Sequence, residues 1–474
     1  MNQVSSRSSR RTFLRTTSQV AAASALAGVA IPHVHAAENN TIQVALIGCG
    51  GRGTGAAANA LSVTTGPMKL VAMADVFEKK LKDSVTALKS HVNGMKKNNP
   101  KAAEMFDVPE ERQFLGFDAY KKAMDCLKPG DIAIFTTPLA FRWVHFTYAI
   151  EKGLNVFMEK PLTADGPTSR KMLKLGEQAS AKNLKVGVGL MSRHSRPMEE
   201  LYKRIQDGEI GDIQLMRGYR MHGPVASFQS LPKPAGITDL MYQISRFHSF
   251  LWLSGGCYSD FYIHHIDQLC WMKNAWPIKA QGLGGRHYRQ SPEGVTYVDQ
   301  NFDSYSVEYT FADGAKMYMD GRCINGCNAI YSSYAHGTKG LAVVAAANDA
   351  SPPSSTYKGQ NKDRKNMIWT SETKPEERDP YLNEWNDLTA AIRADRPYSE
   401  VKRGVEASLT TSMGRMAAHT GQEITFDDML NHKHEYAPGV DKLTWDSPSP
   451  LMADANGRYP VPMPGIVKDQ EYKS

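Results

Sequence analysis

Over the first part of the chain, short apolar runs alternate with segments of helical spacing. Residues 41–47, 69–73, 132–136, 155–158 and 185–190 are almost wholly apolar, as strands buried on both faces are. Between them, residues 51–61, 144–152 and 169–181 repeat apolar positions at helical intervals. Strands alternating with helices predict a doubly wound parallel sheet, placed at residues 38–190. The pattern then changes. Residues 213–221, 278–284, 304–311 and 316–322 read as strands, several with alternating polarity, and Ala312-Asp313-Gly314 supplies hairpin-turn chemistry. Residues 381–394 and 405–420 are helical. This predicts an α+β domain on a mostly antiparallel open sheet over 191–430. A tail at 431–474, rich in Pro, Asp and Tyr, is expected to wrap the surface.

The turn after the first strand changes the picture from fold to chemistry. It reads Gly48-Cys49-Gly50-Gly51-Arg52-Gly53. In a strand–turn–helix unit the first glycine permits the tight turn, the second lets backbone N–H groups approach a pyrophosphate, and the last lets helix and strand pack. The helix N-terminus then stabilises the phosphates. Asp75 ends the next strand, placed to accept hydrogen bonds from the adenosine ribose. An acid there repels a 2′-phosphate, which favours NAD over NADP. The N-terminal unit therefore reads as a Rossmann dinucleotide-binding domain.

The N-terminus carries Arg10-Arg11, a mild apolar stretch at 20–31 and a small-residue site at Val34-His35-Ala36. A basic start, a short apolar core and a small-x-Ala end mark residues 1–36 as a targeting segment. The paired arginines point to twin-arginine export and a periplasmic location, an ordinary secretory signal being the competing reading. No later stretch approaches the roughly 20 apolar residues of a membrane span. The net charge is +7, but Arg7, Arg10, Arg11 and Arg15 lie within residues 1–36, which hold no acid. The remainder is thus about +3, too little for the clustered basic footprint of a nucleic-acid binder. Six scattered cysteines are too few for a disulfide scaffold; Cys323 and Cys327 are either a local pair or free thiols.

Two further clusters carry chemistry. Glu159-Lys160-Pro161 ends a predicted parallel strand, where ligands bind in such sheets. A lysine there can stabilise the alkoxide developing from a hydroxyl under oxidation. Downstream, Asp260, His264 and Asp267 stand at i, i+4 and i+7, on one face if the segment is helical. A carboxylate beside an imidazole orients it and raises its basicity, as a proton shuttle needs. His265 points about a quarter-turn away. The same residue types can bind a metal, but an oxidation using Lys160 and NAD needs none. Arg193, His194 and Tyr242 are weak substrate candidates, packing or solvent exposure being the stronger reading for each.

These motifs, together with Thr137-Pro138, Gly208-x-Ile210-Gly211 and Met413-Gly414-Arg415-Met416-Ala417, resemble the glucose-fructose oxidoreductase / inositol dehydrogenase / MocA-like (Gfo/Idh/MocA) family over residues 42–430. The resemblance implies Lys160 as orienting acid/base, His264 as proton acceptor and Asp260 as a substrate contact. It also implies NAD held by Gly48, Gly50, Gly51, Arg52, Gly53, Asp75, Thr137, Pro138, Arg142, Glu159 and Lys160, and a homo-oligomer. One departure is visible. Many members follow Thr-Pro with Asn or Asp and place a histidine five residues after the threonine, where this chain has Leu139 and Arg142.

Three functions follow as expectations. The first is an exported oxidoreductase acting on a sugar or polyol. Free nicotinamide cofactor is scarce outside the cytoplasm, so its NAD is expected to be tightly held and regenerated in place. The second is a glycoside hydrolase that transiently oxidises its sugar; relatives of that kind often lack the lysine of Glu-Lys-Pro. The third is a non-catalytic carbohydrate-binding protein, which would not require Lys160 and His264.

Overall fold

A computed structural model describes residues 40–287, 289–347 and 353–473. The proposed export signal at 1–36 lies outside the described residues. The first sheet comprises β1 (Ile42–Ile47), β2 (Met68–Asp75), β3 (Gln113–Leu115), β4 (Ile132–Phe135), β5 (Asn155–Met158) and β6 (Val186–Val188). Its order is β3-β2-β1-β4-β5-β6, parallel throughout. The central strands are buried on both faces, which is why their sequences lack alternation. The order reverses between β1 and β4, so the crevice beyond their carboxyl ends is the ligand position of such sheets.

The second sheet has nine strands, ordered β14-β13-β12-β11-β7-β10-β9-β8-β15. These are β7 (Ile213–His222), β8 (Lys279–Gly285), β9 (Ser304–Thr310), β10 (Lys316–Cys323), β11 (Ile330–Gly337), β12 (Gly340–Ala345), β13 (Ser355–Lys358), β14 (Met367–Thr370) and β15 (Ile424–Thr425). The β7–β10 pair is parallel and every other ladder is antiparallel. Helices Gly256–Lys273 and Val401–Thr420 lie against this sheet and each other. Both are buried on nearly every side, with Tyr258, Tyr262, Tyr305 and Phe302 interleaved between helix and strands.

Two boundaries differ from the sequence reading. Helix Pro380–Arg393, assigned to the second domain, returns to the first. Its Trp385, Leu388 and Ile392 pack with β1 and β2 residues, and Trp385 stacks on Phe157 of β5. The backbone at Ser399 then bridges Val186 on the sheet edge. The tail also does more than cover the surface: Leu451, Tyr459, Glu471 and Tyr472 are buried. The cysteines are free; Cys323 is buried and Cys327 exposed. Among the described residues no helix is long and apolar enough to cross a membrane.

Candidate active site

From β1 the chain turns through Gly48, at φ +96°, into helix Gly51–Leu61. A Cβ on Gly53 would stand 2.0 Å from the Gly48 carbonyl oxygen and 2.5 Å from Thr136 Oγ1. Helix and strand therefore touch through this glycine. Gly50 and Gly51 are the opposite case, since a Cβ on either would meet nothing within 4 Å. Gly50 is the N-cap, and no side chain caps the helix. The first-turn donors thus face a space kept open by missing side chains, a donor set that suits a pyrophosphate.

Asp75 stands at the lip of this space. Its Oδ2 accepts from the Cys49 N–H at 2.6 Å and its Oδ1 from the Phe77 N–H at 2.8 Å. Burial raises its pKa, while those backbone bonds and Lys80 pull the other way. Two backbone bonds fix the carboxylate and leave further lone pairs for ribose hydroxyls. Phe77, Lys80, Phe117 and Tyr120, which the sequence reading did not single out, line the same cleft. These residues fit a dinucleotide.

A second cleft adjoins the first, with Thr136, Thr137, Pro138 and Phe247 bordering both. Here Lys160 meets Asp260 and His264. Lys160 Nζ donates to the Asp260 backbone carbonyl at 2.5 Å and lies 3.3 Å from Asp260 Oδ1. Nε2 of His248 is 3.5 Å from Asp260 Oδ2. Burial opposes ionisation of Asp260, but Lys160 and then His248 outweigh it and hold the carboxyl below its ordinary range. Burial also lowers the pKa of His248, against the pull of Asp260. His264 sits one helical turn beyond Asp260, buried at the cleft wall. An ammonium, a carboxylate and imidazoles thus converge where a hydroxyl-bearing ligand can enter.

The remaining candidates divide. Arg142 is buried and braces two strand ends: it donates to the Glu159 carbonyl oxygen and, at 2.8 Å, to the Thr137 carbonyl oxygen. Burial lowers its pKa to about 10. The histidine not found at position 142 stands one turn later, as His145, on the wall of the dinucleotide cleft. Its Nδ1 lies 3.2 Å from Thr137 Oγ1. Burial, aided by Arg142, lowers its pKa to about 3, so the ring is neutral. Arg52 pairs with Glu159 at 3.0 Å and lies over Tyr381, both bordering the second cleft.

Asp267, Arg193, Tyr242 and His194 stand away from both clefts. Asp267 shares the face of Asp260 and His264, but seven residues of helix carry it about 10 Å along the axis, out of the cleft. There Arg193 holds it through Nε and Nη2 at 2.8–3.1 Å, so Arg193 is an internal partner and borders neither cleft. Tyr242 is buried, its hydroxyl donating to the Leu231 carbonyl, and also borders neither. His194 is held between Asp387 and Glu400. Among the described residues no group of three or more His, Cys, Asp or Glu is arranged to hold a metal.

No family model matches the chain. An inositol 2-dehydrogenase of Corynebacterium glutamicum is 27% identical over 142 residues, which are 30% of this chain and 40% of that protein. The chain thus spans about 40% of the length of the curated relatives it matches. The myo-inositol 2-dehydrogenase of Lactobacillus plantarum superposes with a TM-score of 0.56 at 20% identity, covering 81% of this chain and 99% of that one. The scyllo-inositol dehydrogenase of Lactobacillus casei, with bound NAD(H) and scyllo-inositol, gives 0.56 at 18%, covering 82% and 100%. A levoglucosan dehydrogenase in complex with NADH and levoglucosan gives 0.60 at 16%, covering 82% and 100%. In fold the chain is similar to these inositol and sugar dehydrogenases. Their two-domain architecture, a Rossmann-like parallel sheet followed by a mostly antiparallel one, is the architecture described above.

Proposed function

We propose that this protein oxidises a hydroxyl of a sugar or polyol, using NAD held over the glycine turn. One observation carries the reading: Lys160, Asp260 and His264 converge in a cleft that shares its Thr136–Pro138 wall with the cleft of Gly50 and Asp75. The NAD(H) and polyol or sugar ligands in the neighbouring structures support it.

Bound NAD would supply a two-electron acceptor for the carbinol hydride. The chain's residues supply the rest. Asp260 fixes the Lys160 ammonium, which donates to the substrate oxygen and stabilises negative charge as it develops there. His264 accepts the hydroxyl proton, so that the C–H electron pair leaves as the carbonyl forms. Pro138, Leu139, Phe247 and Leu253 give the cleft an apolar side. Asp75 disfavours a 2′-phosphate, making NAD the preferred nucleotide.

The Arg10-Arg11 segment supports twin-arginine export, which moves folded chains. The nucleotide would then be loaded before export, retained, and recycled by a second substrate or by a redox-neutral cycle. Self-association extends the proposal and is read by light scattering. The test begins with mass spectrometry of the native protein after denaturation, expected to release NAD even when desalting precedes it. Anaerobic addition of sugars and polyols should then change absorbance at the nicotinamide band without added NAD. Loss of the nucleotide on desalting refutes tight retention. Aryl release from chromogenic glycosides without absorbance change would replace oxidation with hydrolysis.

A further inference from the structure

The Met413–Ala417 motif is not used by the chemistry above, yet it holds the most heavily bonded side chain near the site. Arg415, on helix Val401–Thr420, is fully buried. Its Nη2 donates to the Ala164 carbonyl oxygen at 2.7 Å, four residues past Lys160. Its Nη1 donates to Ser259 Oγ at 2.6 Å and to the Gly255 carbonyl oxygen at 3.1 Å. Ser259 immediately precedes Asp260. One guanidinium thus ties the segment leaving Lys160 to the start of the helix bearing Asp260 and His264.

The charge of that guanidinium is met from the far end of the chain. Nε and Nη2 of Arg415 reach Glu471 Oε1 and Oε2 at 2.8 and 2.9 Å. His419 Nδ1 lies 2.8 Å from the same carboxylate. The tail is pinned beside it by Tyr436, whose hydroxyl accepts from Arg415 at 3.1 Å and whose ring stacks on Tyr472. Burial alone would raise the pKa of Glu471, but Arg415 and His419 hold it down at about 2. Planar, bidentate pairing fixes the orientation of both partners, which a point charge would not do.

We propose that Arg415 and Glu471 are positioning residues: the C-terminal segment clamps the guanidinium, and the guanidinium sets the distance between Lys160 and the Asp260–His264 helix. Without the carboxylate, a buried cation has lost its counter-charge. It then turns towards other acceptors and releases Ala164 or Ser259. This inference rests on the oxidoreductase reading for its kinetic part only.

The test uses full-length protein carrying Glu471→Ala, with Glu471→Gln as the variant that keeps one acceptor oxygen and the volume. Four readouts are taken: kcat and KM, NAD retained after desalting, acetate titration of the Ala variant, and hydrogen exchange by mass spectrometry. The expected result for Glu471→Ala is a kcat at least tenfold lower with the amount of NAD retained after desalting unchanged. Added acetate should restore kcat, and Glu471→Gln should fall between. Exchange should rise jointly in residues 162–166 and 255–262, while helix Gly51–Leu61 stays protected. A kcat within twofold of the parent overturns the proposal. So does acetate rescue of melting temperature without rescue of kcat, or exchange rising only in the tail or everywhere. If the parent protein oxidises nothing in the panel, the oxidoreductase reading fails, while the joint exchange of the two segments still decides the clamp.

Discussion

Two glycines three residues apart make opposite predictions. Gly53→Ala places a methyl 2.0 Å from the Gly48 carbonyl oxygen and 2.5 Å from Thr136 Oγ1, and the main-chain contact cannot be relieved by turning a side chain. Overpacking typically costs about 1–3 kcal/mol, and contact with main chain belongs at the top of that range or beyond. At about 2–4 °C per kcal/mol for a domain of this size, the melting temperature should fall by roughly 6–12 °C. Gly50→Ala meets nothing within 4 Å and sits at φ −71°, ψ −178°, a conformation alanine adopts. A loss of about 1 kcal/mol at the N-cap is offset by about 0.4–1 kcal/mol from a stiffer unfolded chain. The free protein should therefore melt within about 2 °C of the parent. Its methyl, however, fills the pyrophosphate space. Losing one or two charge-assisted hydrogen bonds, at about 1.5–3 kcal/mol each, weakens NADH by roughly ten- to ten-thousandfold. Calorimetry with and without NADH, plus nicotinamide fluorescence titration, measures both effects. If Gly50→Ala binds NADH as the parent does, no dinucleotide lies over this turn and the cofactor assignment is wrong.

Lys160→Met and His264→Asn should each lower kcat by about 10²–10⁴, the usual contribution of a positioned acid or base. NADH affinity should stay within threefold, because neither side chain touches the glycine turn; activity within tenfold of the parent would remove them from the mechanism. Asp75→Ser removes the acceptors of the Cys49 and Phe77 N–H groups as well as the charge, so NADH should weaken and the NADH/NADPH preference should narrow. An unchanged ratio would show that Asp75 does not face the ribose. Two buried histidines give opposite pH contributions to stability on either side of pH 6.5. Asp387 and Glu400, overcoming burial, raise the pKa of His194 to about 9, so its contribution is full below 6.5 and is lost as pH rises from 6.5 through 9. His145, lowered to about 3 by burial and Arg142, contributes above 6.5 and loses that contribution as pH falls towards 3. Urea midpoints across pH 4–10 that rise steadily through 6.5–9 would contradict the His194 part.

The strands around the crevice were legible because each is a nearly unbroken apolar run, stopped by glycine or proline after β1, β4 and β5 and by Asp75 in β2. Those of β1, β2, β4 and β5 end within a residue or two of the positions read from sequence. The outer half of the second sheet was not. Its β13 and β14 are four residues each, and β14 is largely exposed, so no alternation develops. Helix Gly256–Lys273 is buried all round and has no polar stripe; only the Asp-x3-His spacing revealed it. That spacing placed Asp260 and His264 but not Asp267, since angular position ignores distance along the axis. Neither His248 nor His145 carried a signal beyond its type, and Glu471 lay in a tail whose composition suggested a covering. Arg193 looked available because its partner is 74 residues away.

The excursion of helix Pro380–Arg393 back to the first sheet has a bearing on how the molecule is born. Trp385 fills space against Phe157, so the nucleotide-binding half lacks part of its own interior until that helix has left the ribosome. At about 5–20 residues per second, the roughly 200 intervening residues keep that half waiting some 10–40 s. A fragment cut near residue 190 should emerge as an aggregating remnant, and the newborn chain would gain its grip on a dinucleotide only after helix Pro380–Arg393 has been made.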